Sequence, residues 1–323
     1  EHEIQIDSNG FRKALENQKN RSRNASIIET DDWINVHKDE PCEFIGYDDL
    51  EAEIKILKYR KISQKGKTFF QAVFNKTPFY PEGGGQVGDS GWIEKNGVQK
   101  AVFDTKKENN LIVHFLAEMP DDIKEIHNAK VNQNKRLNTA RNHSATHLLH
   151  HALRSVLGEH VEQKGSLVNS QQLRFDFSHF SKVTSEELQQ IEKIVIEQVE
   201  SDISLKEYRG IPIDKAKEMG AMALFGEKYG KEVRVIQFGD SVELCGGTHV
   251  NSSSEVGLFK IISESAVASG IRRIEAISGD STKEYFRGRT AELESISELL
   301  KKPKDIQKTV QELINKNNDL SKQ

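Results

Sequence analysis

The sequence predicts an α+β chain: a small β-barrel, then a metal-binding α+β core, with helical flanks and a coiled-coil-like C-terminal arm. Three observations predict it. Between about Pro41 and Lys130, short alternating runs of apolar and polar residues recur between turns of Gly, Asn and Lys, the rhythm of a small barrel. From Asn138 onward, helical and strand patterns interleave. Beyond Pro303, the residues Ile306, Val310, Leu313, Asn317 and Leu320 are spaced four, three, four and three apart, which is a heptad seam.

Taken in order, residues 8–25 read as a charged helix with Ser8 as N-cap and a thin stripe of Phe11, Ala14 and Leu15, too narrow to fold alone. The barrel strands are expected at Glu53–Leu57, Phe69–Phe74, Val98–Phe103 and Leu111–Phe115. A helix to Leu157 follows, then a strand at Leu173–Phe177, a helix at Ser185–Glu200, and strands at Val233–Phe238, Leu258–Ser263 and Arg272–Ile277. Helices are expected from Thr282 to Leu300 and from Pro303 to the end; a stripe confined to the heptad positions favours a coiled coil over a docked surface helix. The expected divisions are residues 1–32, 33–134, 135–282 and 283–323.

With 323 residues the chain is long enough for several cores. Charged residues make up 30% against 36% hydrophobic, and no apolar run approaches membrane-spanning length, so a soluble protein without a membrane partner is expected. The opening Glu1-His2-Glu3 is neither a signal peptide nor an initiator methionine, and the heptad seam stops unclosed at Gln323; both suggest a segment of something longer. Only Cys42 and Cys245 are present, which leaves no disulfide framework and fits a reducing cytoplasm. A net charge of −4 makes no compositional case for nucleic acid, so RNA contacts must come from local cationic clusters.

The most telling residues are two pairs. His143 and His147 stand at i and i+4 ahead of the apolar run Leu148, Leu149, Ala152, Leu153, so on a helix both imidazoles leave one face. Such a pair alone is as readily a surface coincidence. A hundred positions later, Cys245 and His249 bracket Gly246-Gly247-Thr248, whose glycines permit the tight turn that aims a thiolate and an imidazole at one point. Three imidazoles and a thiolate suit Zn2+ rather than magnesium or calcium, which prefer oxygen. No Glu follows His143, which excludes the H-E-x-x-H metalloprotease pattern.

Several further runs carry a family resemblance: Thr77 to Asp89 (TPFYPEGGGQVGD), Gln163 to Leu167 (QKGSL), Arg174 to Phe177 (RFDF) and Cys245 to His249 (CGGTH). With the His143/His147 helix they closely resemble the editing region of alanyl-tRNA synthetases, and free-standing alanyl-tRNA editing proteins share several of them. The likeness spans about Trp33 to Gly279. The flanking helices resemble the end of the synthetase's tRNA-recognition region and the lead into its C-terminal domain, which favours the synthetase over the free-standing deacylase. A third reading is the related editing domain of threonyl-tRNA synthetase, but the Gly83 to Gln86 run and the downstream heptad arm fit the alanyl family better. The resemblance implies hydrolysis of tRNA(Ala) wrongly charged with serine or glycine. The ATP-binding motifs of the aminoacylation half are not among these residues, so ligase activity is not expected. It also implies a tRNA partner and possible homo-oligomerisation through the C-terminal arm of the longer protein.

Such chemistry needs a site that reads a hydroxyl, because an apolar pocket that accepts alanine rejects serine only about a hundredfold. Thr146, between the two histidines, and Gln86, closing the run Gly83, Gly84 and Gly85, are the candidates; Thr146 can equally back-bond within its helix. The glycines, with Asp89, are expected to bring backbone N–H groups to the aminoacyl ester or terminal adenosine. Gln163, in an expected loop before a strand, can orient a water or the ester carbonyl but cannot be the general base. Four protein donors describe a closed structural zinc site while catalysis needs an open position, so a non-catalytic tRNA-binding module with structural zinc stands as the rival reading. Arg136, Arg141, Lys164, Arg272 and Arg273 are candidate phosphate contacts, Arg272 and Arg273 pointing to opposite faces of one strand.

Overall fold

In the computed structural model, which describes Gly10 and residues 29–64, 66–222 and 230–321, the chain divides into two compact units. The first runs to Arg136 and takes in Gly246–Thr248; the second comprises Leu137–Cys245 and the chain from His249 onward. The helix expected over residues 8–25 falls outside the described residues apart from Gly10.

The first unit is built on strands β1 (Glu29–Thr30), β2 (Ile34–Asn35), β3 (Glu43–Phe44), β4 (Glu51–Ile54), β5 (Ile56–Gln64), β6 (Lys67–Phe74), β7 (Lys76–Thr77), β8 (Gly91–Lys95), β9 (Val98–Glu108), β10 (Leu111–Leu116) and β11 (His127–Val131). All but β3 and β7 join one sheet in the order β1-β5-β6-β10-β9-β8-β11-β4, with β2 beside β5. Ile54, Ile56, Phe74, Ile93, Val102, Leu116 and Ala129 from seven of these strands share one core, so the sheet wraps it. The expected barrel nevertheless does not close among the described strands. Only Lys55 separates β4 from β5, and β5 already gives one edge to β6 and the other to β1 and β2. β4 therefore has no free edge of β5 to pair with, and ends the sheet.

A buried network pins the segment that leaves β7. His114 on β10 is fully buried. Its Nδ1 donates to the Ala72 carbonyl at 3.1 Å, so Nε2 is unprotonated and accepts the Thr77 hydroxyl at 2.7 Å; Thr77 in turn accepts the Phe79 N–H. The imidazole stacks on Phe74 with centroids 3.9 Å apart. Burial pushes the His114 pKa down to about 3, outweighing the Ala72 bond that raises it. A folded-state pKa below the usual value stabilises the fold above about pH 6.5 and is lost as pH falls toward 3. We expect His114→Gln to unfold more easily at pH 7. The acid limb of its stability profile should be shallower than the parent's by about 1.4 kcal/mol per pH unit, one proton's worth. Urea titrations from pH 7 to 4 check this, and equal slopes would refute it.

The second unit begins within α1 (Gln133–Leu157) and continues through β12 (Gln163–Val168), β13 (Leu173–Ser178), α2 (Ser185–Glu200), β14 (Lys206–Pro212), α3 (Ile213–Glu218), β15 (Glu232–Phe238), β16 (Ser241–Leu244), β17 (Phe259–Ala268) and β18 (Ile271–Ser278). It ends in α4 (Gly279–Leu299) and α5 (Ile306–Leu320). One antiparallel sheet is ordered β12-β13-β18-β17 and a smaller one β14-β15-β16. α2 starts where Thr184 and Glu187 form a reciprocal capping box, and its Ile191, Val195 and Val199 stripe is buried with Leu148, Leu149, Leu153 of α1 and Phe175, Phe177 of β13. Gln163 and Lys164 belong to β12 rather than to a loop, Gln163 pairing with Phe177. The seam residues Val310, Leu313 and Leu320 of α5 are exposed and α5 buries no residue; two helices, α4 and α5, occupy the arm. No helix among the described residues is long and apolar enough to cross a membrane.

Candidate metal centre

α1 carries the first donors because Ala145, Leu148, Leu149, Ala152 and Leu153 bury one side of it, and the histidines interleaved at helical spacing are buried with them. His143 and His147 are 4% and 3% exposed. Cys245 and His249 follow β16. Cys245 is fixed through Arg234: its N–H donates to the Arg234 carbonyl at 3.1 Å, while Arg234 Nη1 donates to the Cys245 carbonyl at 2.9 Å. All four donors belong to the second unit.

Their ligand atoms lie within 4.8 Å of one another. Cys245 Sγ is 3.5 Å from His143 Nε2 and 3.2 Å from His249 Nε2, and the rings of His143 and His147 stand 4.4 and 4.6 Å from that of His249. A tetrahedral zinc with bonds of about 2.0 to 2.3 Å sets its donors roughly 3.3 to 3.8 Å apart, so the cluster has the right scale. Its chemistry fits as well. His147 Nδ1 is buried without a hydrogen-bond partner, a costly state for a ring nitrogen unless it serves as a metal donor. Burial, then the neighbouring imidazoles, holds His143 and His249 well below the usual histidine range; burial also lowers His147, against the opposing pull of Glu243. Neutral imidazole is the ligating form. The other thiol, Cys42, is pushed up to about 12 by burial, with Glu43 adding to it, and is inert by comparison.

Residues invisible to motif reading surround the donors. Ser144 Oγ is 3.1 Å from His249 Nδ1 and accepts the Val250 N–H at 3.2 Å. Glu243, on β16, accepts from His150 Nδ1 at 3.0 Å and lies 3.7 Å from His147 Nε2. Burial alone would raise its pKa; His147, His150 and His143 outweigh that and bring it to about 2. The local signal for both was faint: Ser144 sits between two ligands, and Glu243 precedes Cys245 by two residues in an alternating strand.

The other sequence candidates are placed as follows. Thr146 is buried in α1, its hydroxyl donating to the Asn142 carbonyl at 2.8 Å. Gln163 is half-buried at the start of β12 and Lys164 pairs with Glu162 at 2.8 Å. Arg141 donates to the Glu255 carbonyl and pairs with Asp280. Arg272 pairs with Glu264 on β17 and Arg273 makes two bonds to Asp176 on β13, so the adjacent arginines do take partners on different strands. In the first unit, Gly83 and Gln86 exchange both backbone hydrogen bonds around Gly84 and Gly85, whose φ values of 58° and 81° are the positive pair that a type I′ turn requires. Gln86 is fully buried, its amide donating to Thr248 Oγ1 at 3.0 Å and accepting the Thr248 N–H at 2.9 Å. Asp89 accepts the Tyr80 N–H and is buried against Arg136, which also donates to the Gly46 and Pro78 carbonyls.

Residues 1–137 match the class II (A) tRNA synthetase family, and residues 233–275 match the second additional domain of threonyl and alanyl tRNA synthetases. The alanine–tRNA ligase of Flavobacterium psychrophilum is 52% identical over 329 residues, covering 99% of this chain and 37% of the ligase. Those of Christiangramia forsetii and Porphyromonas gingivalis are 52% and 47% identical over 100% of the chain. The chain spans 37% of the length of each of these relatives.

Proposed function

Because the chain belongs to the alanyl-tRNA synthetase family, we propose that it carries that enzyme's editing site and hydrolyses tRNA(Ala) mischarged with serine or glycine. The observation that carries this reading is the convergence of His143, His147, Cys245 and His249 within one metal-sized cluster, in a chain whose residues 233–275 match the additional domain of the threonyl and alanyl enzymes. A zinc ion held by His143, His147, Cys245 and His249 would supply Lewis-acid chemistry, polarising an ester carbonyl or activating a water. The chain's own residues hold the imidazoles neutral by burial and fix the thiolate through the Arg234 backbone and side chain.

Serine recognition is assigned to Thr146. Its O–H is committed to the Asn142 carbonyl, which leaves the hydroxyl oxygen able to accept a hydrogen bond from serine. Gln86 is the weaker choice, since both ends of its amide already bond to Thr248. Thr146→Val keeps the volume and removes the acceptor. We expect the ratio of hydrolysis rates on seryl- and alanyl-tRNA to fall by roughly tenfold, the scale of one polar interaction of about 1.4 kcal/mol. An unchanged ratio with metal still bound would make Thr146 a packing residue. Contact between tRNA phosphates and Arg141, Arg272 or Arg273 would have to displace the carboxylates these side chains now hold.

The four-donor set favours a second reading, a tRNA-binding module in which zinc is purely structural. Incubating the chain with seryl-tRNA of alanine identity, with and without a chelator, separates the two. Chelator-sensitive release of serine supports editing; tRNA binding without hydrolysis supports the structural module.

A further inference from the structure

Two of the three imidazoles in the cluster are met on their far side by a group that orients them. For His249 it is the Ser144 hydroxyl, 3.1 Å from Nδ1, while Nε2 faces the thiolate at 3.2 Å. For His147 it is the Glu243 carboxylate. Its Oε2 lies 3.7 Å from His147 Nε2, and its Oε1 is anchored at 3.0 Å by His150 Nδ1 one turn along α1. Both the carboxylate and the His147 ring have side chains only 4% exposed. Isolated burial of such a charge is expensive, so Glu243 needs a positive counterpart.

From this geometry we infer that Glu243 is a positioning residue for the metal: its carboxylate, 3.7 Å from His147 Nε2, engages that nitrogen and leaves Nδ1 as the donor atom, while His143 and His249 offer Nε2. The inference rests on the metal-centre reading above. Two observations support it. His147 Nδ1 is the ring nitrogen left buried without a partner, as a donor atom would be. The charges also balance: a divalent metal with one thiolate and three neutral imidazoles carries a residual single positive charge, and the carboxylate beside His147 offsets it. Because Glu243 sits on β16, two residues before Cys245, it also ties the ligand helix to the strand that delivers the thiolate.

The test is zinc affinity, measured on the whole chain by competition with a chromophoric chelator, together with the cobalt(II) absorption spectrum. Glu243→Gln preserves shape and removes the charge. Zinc affinity is expected to fall by about ten- to a hundredfold, the usual effect of losing a group that orients a ligand, and the cobalt d–d bands to shift as His147 reorients. A merely structural Glu243 would lower the thermal midpoint of the metal-free chain and leave affinity and spectrum as in the parent; that result overturns the proposal. If Glu243→Gln does not fold, His150→Gln serves instead, because it leaves the carboxylate but removes the donor at the Nδ1 position; unchanged zinc affinity in that variant would equally overturn it. Failure of the unsubstituted chain to bind zinc would refute the metal centre itself, a distinguishable outcome.

Discussion

Cys245→Ala is expected to weaken zinc binding strongly and to abolish the release of serine from mischarged tRNA. The thiolate is the one anionic donor among the four groups, and its Sγ sits 3.5 and 3.2 Å from two of the donor nitrogens. Without it, a divalent ion would rest on three neutral imidazoles with no anionic donor. Loss of a group that only orients a ligand weakens binding about ten- to a hundredfold, so loss of the ligand itself should exceed about a hundredfold. Metal content and seryl-tRNA hydrolysis measured on the same preparation check this. A variant that is metal-free yet fully active would remove zinc from the mechanism.

Arg136→Met is expected to be the most destabilising single change in the first unit. The guanidinium is 6% exposed and makes hydrogen bonds to Asp89 and to the Gly46 and Pro78 carbonyls. Removing it leaves a buried carboxylate and two carbonyls without their donors, and breaking a buried pair in this way costs about 3 to 5 kcal/mol. Asp89 would retain only the Tyr80 N–H among these partners, which sits at the start of the segment bearing the glycine turn. Denaturant unfolding monitored at Trp33 and Trp92, both in this unit, reads the loss; a change below about 1 kcal/mol would place the pair among the inconsequential ion pairs.

These expectations show where the sequence was legible. α2 was readable to the residue because a capping box and an i, i+4 apolar stripe are both local and agree. The strands at Leu173 and Val233 were readable from short apolar runs for the same reason. Barrel closure was not, since it depends on which edge of β5 is already occupied, and the strands concerned lie some thirty residues apart in sequence. β12 was missed because Gln163-Lys164-Gly165-Ser166 is polar and carries a glycine; it is a strand only through its pairing with β13. At the site, the four donors were legible because ligand chemistry restricts residue type as well as spacing. Glu243 and His150 were not, because a buried carboxylate is recognisable only from what surrounds it. Thr146 illustrates the limit of local reasoning: back-bonding to Asn142 follows from helix chemistry, whereas its place beside the histidines follows from sequence alone.

Whether His143, His147, Cys245 and His249 hold a single zinc ion is read by zinc K-edge X-ray absorption on the metal-loaded chain. One zinc per chain is expected, with nitrogen neighbours at about 2.0 to 2.1 Å and one sulfur at about 2.3 Å. The sulfur shell should vanish in Cys245→Ala. Zinc surrounded by oxygen alone, or a spectrum unchanged in that variant, would contradict it.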